Sequence, residues 1–327
     1  MTVINGIEID CTHHTPNMTN DAIANNDPVD DVLHVICVVS NPCMYARRYV
    51  LMNEFLMRMR YTADVVVYVV ELCYGTQRFV ITDSKNPRHL QLRSTDVLWH
   101  KENMINLGVS LLPPKWKAMA WIDADIEFES ARWANDALRL LNGYKDVVQL
   151  FSHCLDMDRQ ENTMHTWNSA GYQFERHHRH VKGGVDYSHP GYAWAITRKA
   201  YDRIGGLFDL GILGSSDHVM LHALVGKAGE SIHGESHFEY RAAVMELQRR
   251  MYGLRLGYVP GMIRHFFHGT KENRKYSERW QILVKFAYTP SDLVRENGLL
   301  QFKDKTEKNK EFRAAIMQYF WDRKEDD

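Results

Sequence analysis

Nothing in the 327 residues supplies a disulfide framework: the five Cys (Cys11, Cys37, Cys43, Cys73 and Cys154) are odd in number and show no C-x-x-C spacing. Three lie in or beside apolar strand-like runs, which points to reduced thiols in a reducing compartment. An excess of one charge is missing as well, since 40 Lys and Arg face 41 Asp and Glu. Such a balance gives no global field for nucleic acid or an anionic membrane, and neither is expected as a partner. No apolar run approaches the roughly 18 residues of a membrane span. The N-terminus has neither the basic nor the apolar part of a secretory signal. A soluble, cytoplasmic protein is therefore expected.

What is present fits a globular chain, with 45% apolar and 25% charged residues. The length suits about two domains, or one large α/β domain with additions. Residues 1–31 are polar, rich in Asn, Asp and Thr, and are expected to form a flexible leader. Residues 33–39 and 64–72 read as buried strands, with Phe79-Val80-Ile81 a third apolar run. Between the first two, Tyr45, Tyr49, Met52, Leu56 and Met59 recur at helical spacing. Residues 99–107 predict a helix that stops near Gly108. Residues 119–122 predict a strand running into Asp123-Ala124-Asp125.

A helix over 133–141 and a strand over 146–151 follow. Residues 155–188, which include Arg176-His177-His178-Arg179-His180, read as a long mobile loop. A strand after Gly191, a helix through Tyr201 and an apolar helix over 218–225 come next. Trp280, Leu283, Val284 and Ala287 share a helical face, as do Phe312, Ile316 and Tyr319; the closing Asp-Arg-Lys-Glu-Asp-Asp is expected to fray. Strands alternating with helices predict an α/β fold, with a mainly parallel central sheet flanked by helices and with C-terminal helices beyond it. Open sheets of this kind bind ligands at the carboxyl ends of their strands.

A bare D-x-D is weak evidence, because chance gives about 1.6 matches in a chain of this Asp content. There are two, Asp123-Ala124-Asp125 and Asp156-Met157-Asp158. The first directly follows an apolar strand, where two carboxylates at i and i+2 can reach one divalent cation, or merely end a solvated strand. The second lies in polar sequence, and no role is expected for it.

Three segments in order carry a resemblance. Trp99-His100-Lys101-Glu102-Asn103-Met104-Ile105-Asn106-Leu107-Gly108 precedes the Asp123-Ala124-Asp125 strand. Gly191-Tyr192-Ala193-Trp194-Ala195 leads through Gly205-Gly206 to Gly214-Ser215-Ser216-Asp217-His218. Met262-Ile263-Arg264-His265 comes last. Together they resemble metal-dependent GT-A (Rossmann-like) glycosyltransferases, especially the β-1,4-galactosyltransferase and polypeptide N-acetylgalactosaminyltransferase group. The resemblance covers about residues 33–275. It implies a GT-A domain over 32–275, with a nucleotide-sugar half (32–130) and an acceptor half (131–275). Residues 276–327 then form a helical extension.

The resemblance implies transfer of a sugar from a nucleotide-diphospho-sugar, foremost a UDP-sugar, to a glycan, glycoprotein or glycolipid hydroxyl, with Mn²⁺ or Mg²⁺. Asp125 and His265 would ligate the ion, with Asp123 near the ribose or metal and Met262 a soft further ligand. His268 competes with His265 for the ion. Asp217 matches the base that takes the acceptor proton with inversion, although a helix cap is its other reading. Arg47, Glu71, Lys101 and Asn103 would contact the nucleotide. The group's Gly-Gly-Glu-Asp is here Gly214-Ser215-Ser216-Asp217 and its preceding Trp is Leu213, so galactose and N-acetylglucosamine are not implied. The missing membrane anchor fits a bacterial or large-virus enzyme. The competing readings are a sugar nucleotidyltransferase and a degenerate transferase fold serving as a carbohydrate-binding or scaffold protein.

Overall fold

A computed structural model describes residues 2–4, 7–9, 15–24, 31–177, 179–180, 187–276, 278–304 and 306–327. His178 and much of the expected leader lie outside them. The chain opens with a hairpin, β1 (Thr2–Ile4) and β2 (Ile7–Ile9), followed by α1 (Pro16–Ala24). This helix departs from a loosely packed leader. Ala22 is buried, and a Cβ added at Gly143 (φ 94°) would sit 2.3 Å from the Ala22 carbonyl oxygen.

The first half continues as β3 (Leu33–Ser40), α2 (Ala46–Arg60), β4 (Val65–Tyr74), β5 (His89–Ser94), α3 (Lys101–Gly108) and β6 (Ala118–Ile122). Then come β7 (Ile126–Phe128), α4 (Trp133–Leu141), β8 (Val147–Gln149), β9 (His153–Met157), β10 (Thr163–Ser169), α5 (Ala170–His177), β11 (Ser188–His189) and β12 (Ala193–Thr197). The remainder is α6 (Arg198–Ile204), α7 (Ser216–Leu224), α8 (Phe238–Met251), β13 (Leu256–Tyr258), β14 (Met262–His265), α9 (Glu278–Lys285), β15 (Leu293–Glu296), β16 (Leu299–Phe302) and α10 (Glu307–Asp322). No helix among the described residues is long and apolar enough to cross a membrane.

The central sheet runs β13-β8-β12-β6-β3-β4-β5. Neighbours are parallel except at β12, which is antiparallel to both β6 and β8. This is the expected α/β fold with a mainly parallel sheet. Alternation along β3 and β4 explains why their apolar runs are nearly continuous, as both faces are covered. Ile36 and Val70 enter one core with α3 and the C-terminal helices. Val35, Cys37 and Val69 enter the other with α2 and α4.

The third apolar run, Phe79-Val80-Ile81, lies in a loop, and the edge strand is β5, whose His, Gln and Arg are partly exposed. Two expectations fail. Residues 155–188 are not one long loop, because β9, β10, α5 and β11 all fall there. The three strands join β14 and β7 in a second sheet ordered β11-β10-β9-β14-β7. The C-terminal tail does not fray. Arg323 and Glu325 are buried, and the Asp326 carboxylate accepts from the Ala46 and Arg47 N–H groups at 2.9 and 2.8 Å. Those bonds cap α2, whose own N-cap residue Tyr45 makes no side-chain cap.

Candidate active site

At the carboxyl edge of the central sheet, an open cleft of about 230 Å³ lies where the second sheet and the C-terminal helices meet it. β6 ends there, so Asp123 and Asp125 project from the strand end into the cleft. β14 brings His265 alongside: the Phe266 N–H donates to the Asp125 carbonyl at 2.8 Å, which fixes the register between the two segments. Three residues on, the chain turns back and adds His268.

Asp125, His265 and His268 form one cluster, their ligand atoms all within 4.8 Å of one another. Asp125 Oδ2 stands 2.8 Å from His268 Nε2 and 3.8 Å from His265 Nε2, while the two Nε2 atoms are 3.2 Å apart. Both histidines converge, where sequence left them as competitors. Asp125 Oδ1 is buried without a hydrogen-bond partner among the described residues, as a carboxylate awaiting a cation would be. Burial pushes the Asp125 carboxyl up, but the His268 and His265 imidazoles outweigh it and hold it below the usual range. Burial, then Arg274, pushes His268 down to about 4, so the ring is neutral at pH 7, the form a metal binds. One carboxylate oxygen and two imidazole nitrogens suit a first-row divalent ion such as Mn²⁺ better than Mg²⁺, which prefers oxygen throughout.

Asp156 holds His265 in place. Its Oδ1 lies 2.7 Å from His265 Nδ1, so the imidazole donates there and Nε2 is left free towards Asp125. Lys271 pairs with the other oxygen. The second D-x-D, for which no role was expected, therefore supplies a buried support. β9 and β14 pair in parallel with Asp156 opposite His265, and strand alternation puts both side chains on one face. The same alternation removes Met262 from the set. It shares the opposite face with Leu155 and Met157 and does not line the cleft. Asp156→Asn is expected to weaken Mn²⁺ affinity by about 10- to 100-fold while the fold holds. Calorimetric titration of Mn²⁺ checks this, and an unchanged affinity refutes the supporting role.

Across the cleft, Asp217 stands in the first turn of α7. It is not the N-cap, which is Ser215. Ser215 and Tyr192 both line the cleft at positive φ, 71° and 78°. Strained backbone of this kind concentrates where function fixes a side chain. Gly191 is needed for close approach, since a Cβ there would lie 2.9 Å from Asp217 Oδ2 and 3.1 Å from His189. The His189 ring stacks on Tyr192 at 4.0 Å, and Tyr192 lies 4.7 Å from His265, so aromatic packing links Asp217's wall to the metal cluster.

Of the expected nucleotide contacts, Lys101 lines the cleft and pairs with Asp123, whose carboxyl burial raises against the pull of that ammonium. The others are engaged elsewhere. The Glu71 carboxylate accepts from the Val80, Ile81 and Thr82 N–H groups. Asn103 ties α3 to Asp209, Gly298 and Leu300. Arg47 turns to the Phe267 carbonyl, and its neighbour Arg48 is the one facing the cleft. Sequence reading missed Glu102, Arg274, Arg279 and Arg323, which also line it. Burial lifts Glu102 to about 8, so it is largely protonated at pH 7.

Burial also holds His153, His189 and His218 down, at about 4, 3 and 4. Between those values and the ordinary 6.5 the unfolded chain binds more protons, so stability rises with pH and is lost on acidification. Each histidine should cost about 1.4 kcal/mol at pH 5.5 relative to neutrality. A melting temperature unchanged from pH 7 to 5.5 would contradict this.

No protein-family model matches the chain, and no curated protein matches it. The chain is similar to several solved structures. One is a Drosophila beta-1,4-galactosyltransferase 7 mutant in complex with manganese, UDP-Gal and xylobiose (10% identity, 75% of this chain, 74% of that chain, TM-score 0.37). Another is a mannosyltransferase from Pyrobaculum calidifontis in complex with GDP-Man and Mn²⁺ (13% identity, 93% and 75%, TM-score 0.42). A third is glucosyl-3-phosphoglycerate synthase from Mycobacterium tuberculosis in complex with Mn²⁺, UDP and phosphoglyceric acid (11% identity, 91% and 95%, TM-score 0.40). At such scores the functional reading rests on the chain's own geometry.

Proposed function

We propose that the protein is a GT-A glycosyltransferase that moves a sugar from a nucleotide-diphospho-sugar to a hydroxyl acceptor, with Mn²⁺ held by Asp125, His265 and His268. The observation that carries the reading is that cluster, with its unpartnered Asp125 oxygen, placed at a strand end facing a second carboxylate, Asp217. When bound, the ion offsets charge developing on the departing nucleoside diphosphate. Asp156 keeps His265 in the ligating tautomer, and Lys101 holds Asp123 at the cleft floor, beside the position for ribose or phosphate. Asp217 takes the proton of the attacking hydroxyl, and the new bond forms on the face opposite the leaving group, inverting the anomeric carbon. His189 and Tyr192 wall the cleft between the two and restrict water.

The test is release of nucleoside diphosphate from UDP-, GDP- and dTDP-sugars with Mn²⁺ and a panel of sugar acceptors. Turnover that disappears in EDTA supports the reading. Absence of turnover and of Mn²⁺-dependent binding for every nucleotide overturns it.

A further inference from the structure

The C-terminal segment contributes cations that the metal cluster does not account for. Arg323 and Arg48 both pair with the buried carboxylate of Glu325, so one carboxylate is shared by two guanidiniums and the group keeps a net positive charge. Arg279, on α9, is buried in the same wall and pairs with no carboxylate of the described residues. Its terminal nitrogens donate to the Ser215 hydroxyl and, at 3.4 Å, to the Tyr319 hydroxyl, and its Nε is buried without an acceptor. Arg323 reaches the same Tyr319 oxygen at 3.3 Å. Two guanidiniums on one phenol draw Tyr319 below its ordinary value although burial opposes them. Arg274, nearer the metal cluster, has no carboxylate partner either. It donates to His268 at 2.7 Å and to Tyr276 at 3.2 Å, and its Nε too is buried without an acceptor.

A buried guanidinium without a counter-charge is costly to keep unless an anion completes it. Arginine's planar fork matches phosphate oxygens in pairs. Arg279 is also held from behind by Tyr319 of the C-terminal helix, and its contact with Ser215 places it two residues from Asp217. We infer that Arg279, supplied by the C-terminal extension, and Arg274, just before it, form a phosphate-binding site in the cleft that does not require the metal. The phosphate comes either from the diphosphate of the donor or from a phosphorylated acceptor. Only that assignment of source rests on the glycosyl-transfer reading; the site itself does not.

The experiment is calorimetric titration of the full chain with inorganic pyrophosphate and with inorganic phosphate, both in EDTA. The wild type binds, and Arg279→Gln weakens that binding at least tenfold, with Arg279→Lys between the two because it keeps the charge and loses the fork. Pyrophosphate binding ten or more times tighter than phosphate assigns the site to the donor diphosphate. Comparable affinities assign it to a phosphorylated acceptor, and both results support the site. Absence of binding by the wild type at millimolar anion overturns it. So does wild-type affinity in Arg279→Gln, with melting temperature and far-UV circular dichroism confirming that the variant is folded. Should Arg279→Gln not fold, Arg279→Lys, which keeps the charge and loses the fork, must weaken binding for the inference to stand. Asp125→Ala keeps this metal-free binding and tightens it, because a carboxylate acting on Arg274 is removed, so loss of the phosphate site and failure of the metal reading are seen separately.

Discussion

Asp125→Ala removes all Mn²⁺-dependent binding of nucleoside diphosphate and lowers turnover by on the order of 10³-fold or more. The size follows from the geometry. Asp125 is the only carboxylate in the ligand cluster, and both histidines face its Oδ2. Two neutral imidazoles hold a divalent ion far less firmly than they do with a carboxylate beside them, and several kcal/mol of charge stabilisation go with the ion. The cleanest readout is thermal stability with UDP, GDP, CMP and dTDP, each with Mn²⁺ or with EDTA. A nucleotide at a hundred times its dissociation constant adds about 2.7 kcal/mol to the native state. The wild type should show that gain for one nucleotide and only with Mn²⁺, and the variant should show none. A variant that keeps the Mn²⁺-dependent rise would show that the three-residue cluster is not the metal site. The cavity left by the shorter side chain sits at a strand end, so the variant should fold.

Asp217→Asn separates binding from chemistry. The amide fits the same space, and nothing in the metal cluster depends on it, so the Mn²⁺-dependent thermal shift stays. Turnover falls by about 10²- to 10⁴-fold, the usual contribution of a positioned proton acceptor. Loss carried by kcat with KM for the donor little changed is the signature of an interaction made only in the transition state. Equal loss of binding and turnover would instead make Asp217 a ligand-positioning group. Unchanged turnover would remove it from the reaction.

How far the sequence foretold this arrangement depended on what each residue type reports. The buried parallel strands β3, β4 and β6 were legible because coverage on both faces makes their apolar runs continuous. α4 was legible from its period. β5 was hidden because an edge strand half-exposed to water carries His, Gln and Arg, while the apolar Phe79-Val80-Ile81 nearby belongs to no strand. Those three residues form a loop held by the buried Glu71 carboxylate, a long-range contact that no local pattern announces. The misread loop over 155–188 has the same origin: β9 is wholly buried, yet its inward Asp156 serves His265 and made the segment look polar.

At the site, the ordered segments located Asp123, Asp125, Asp217 and His265 in one cleft. Strand alternation could already have excluded Met262, since it stands three residues before His265 and so points the other way. Arg47 and Arg48 differ by about 100° around a helix, which decides cleft or Phe267 carbonyl and cannot be read without the helix's seating. Arg279 and Arg323 come from outside the resembling region, so nothing in it could point to them, and Arg274, at its very end, belongs to none of the three segments that carry the resemblance.

The cleft draws its polar groups from Lys101, Asp125, Asp217, His265, Arg279 and Glu325, which together span more than two hundred positions of the chain. Every one of these contacts is non-local, and contacts of that kind form late because their loop-closure entropy is met only when the sheet and final helices dock. A partly folded intermediate with the central sheet intact but α9 and α10 undocked would have its Asp and His ligands and still lack the wall that Arg279 and Glu325 supply. Such a species could take up the cation early and gain catalytic competence only at the last folding step. Appearance of activity during refolding should therefore lag the recovery of secondary structure.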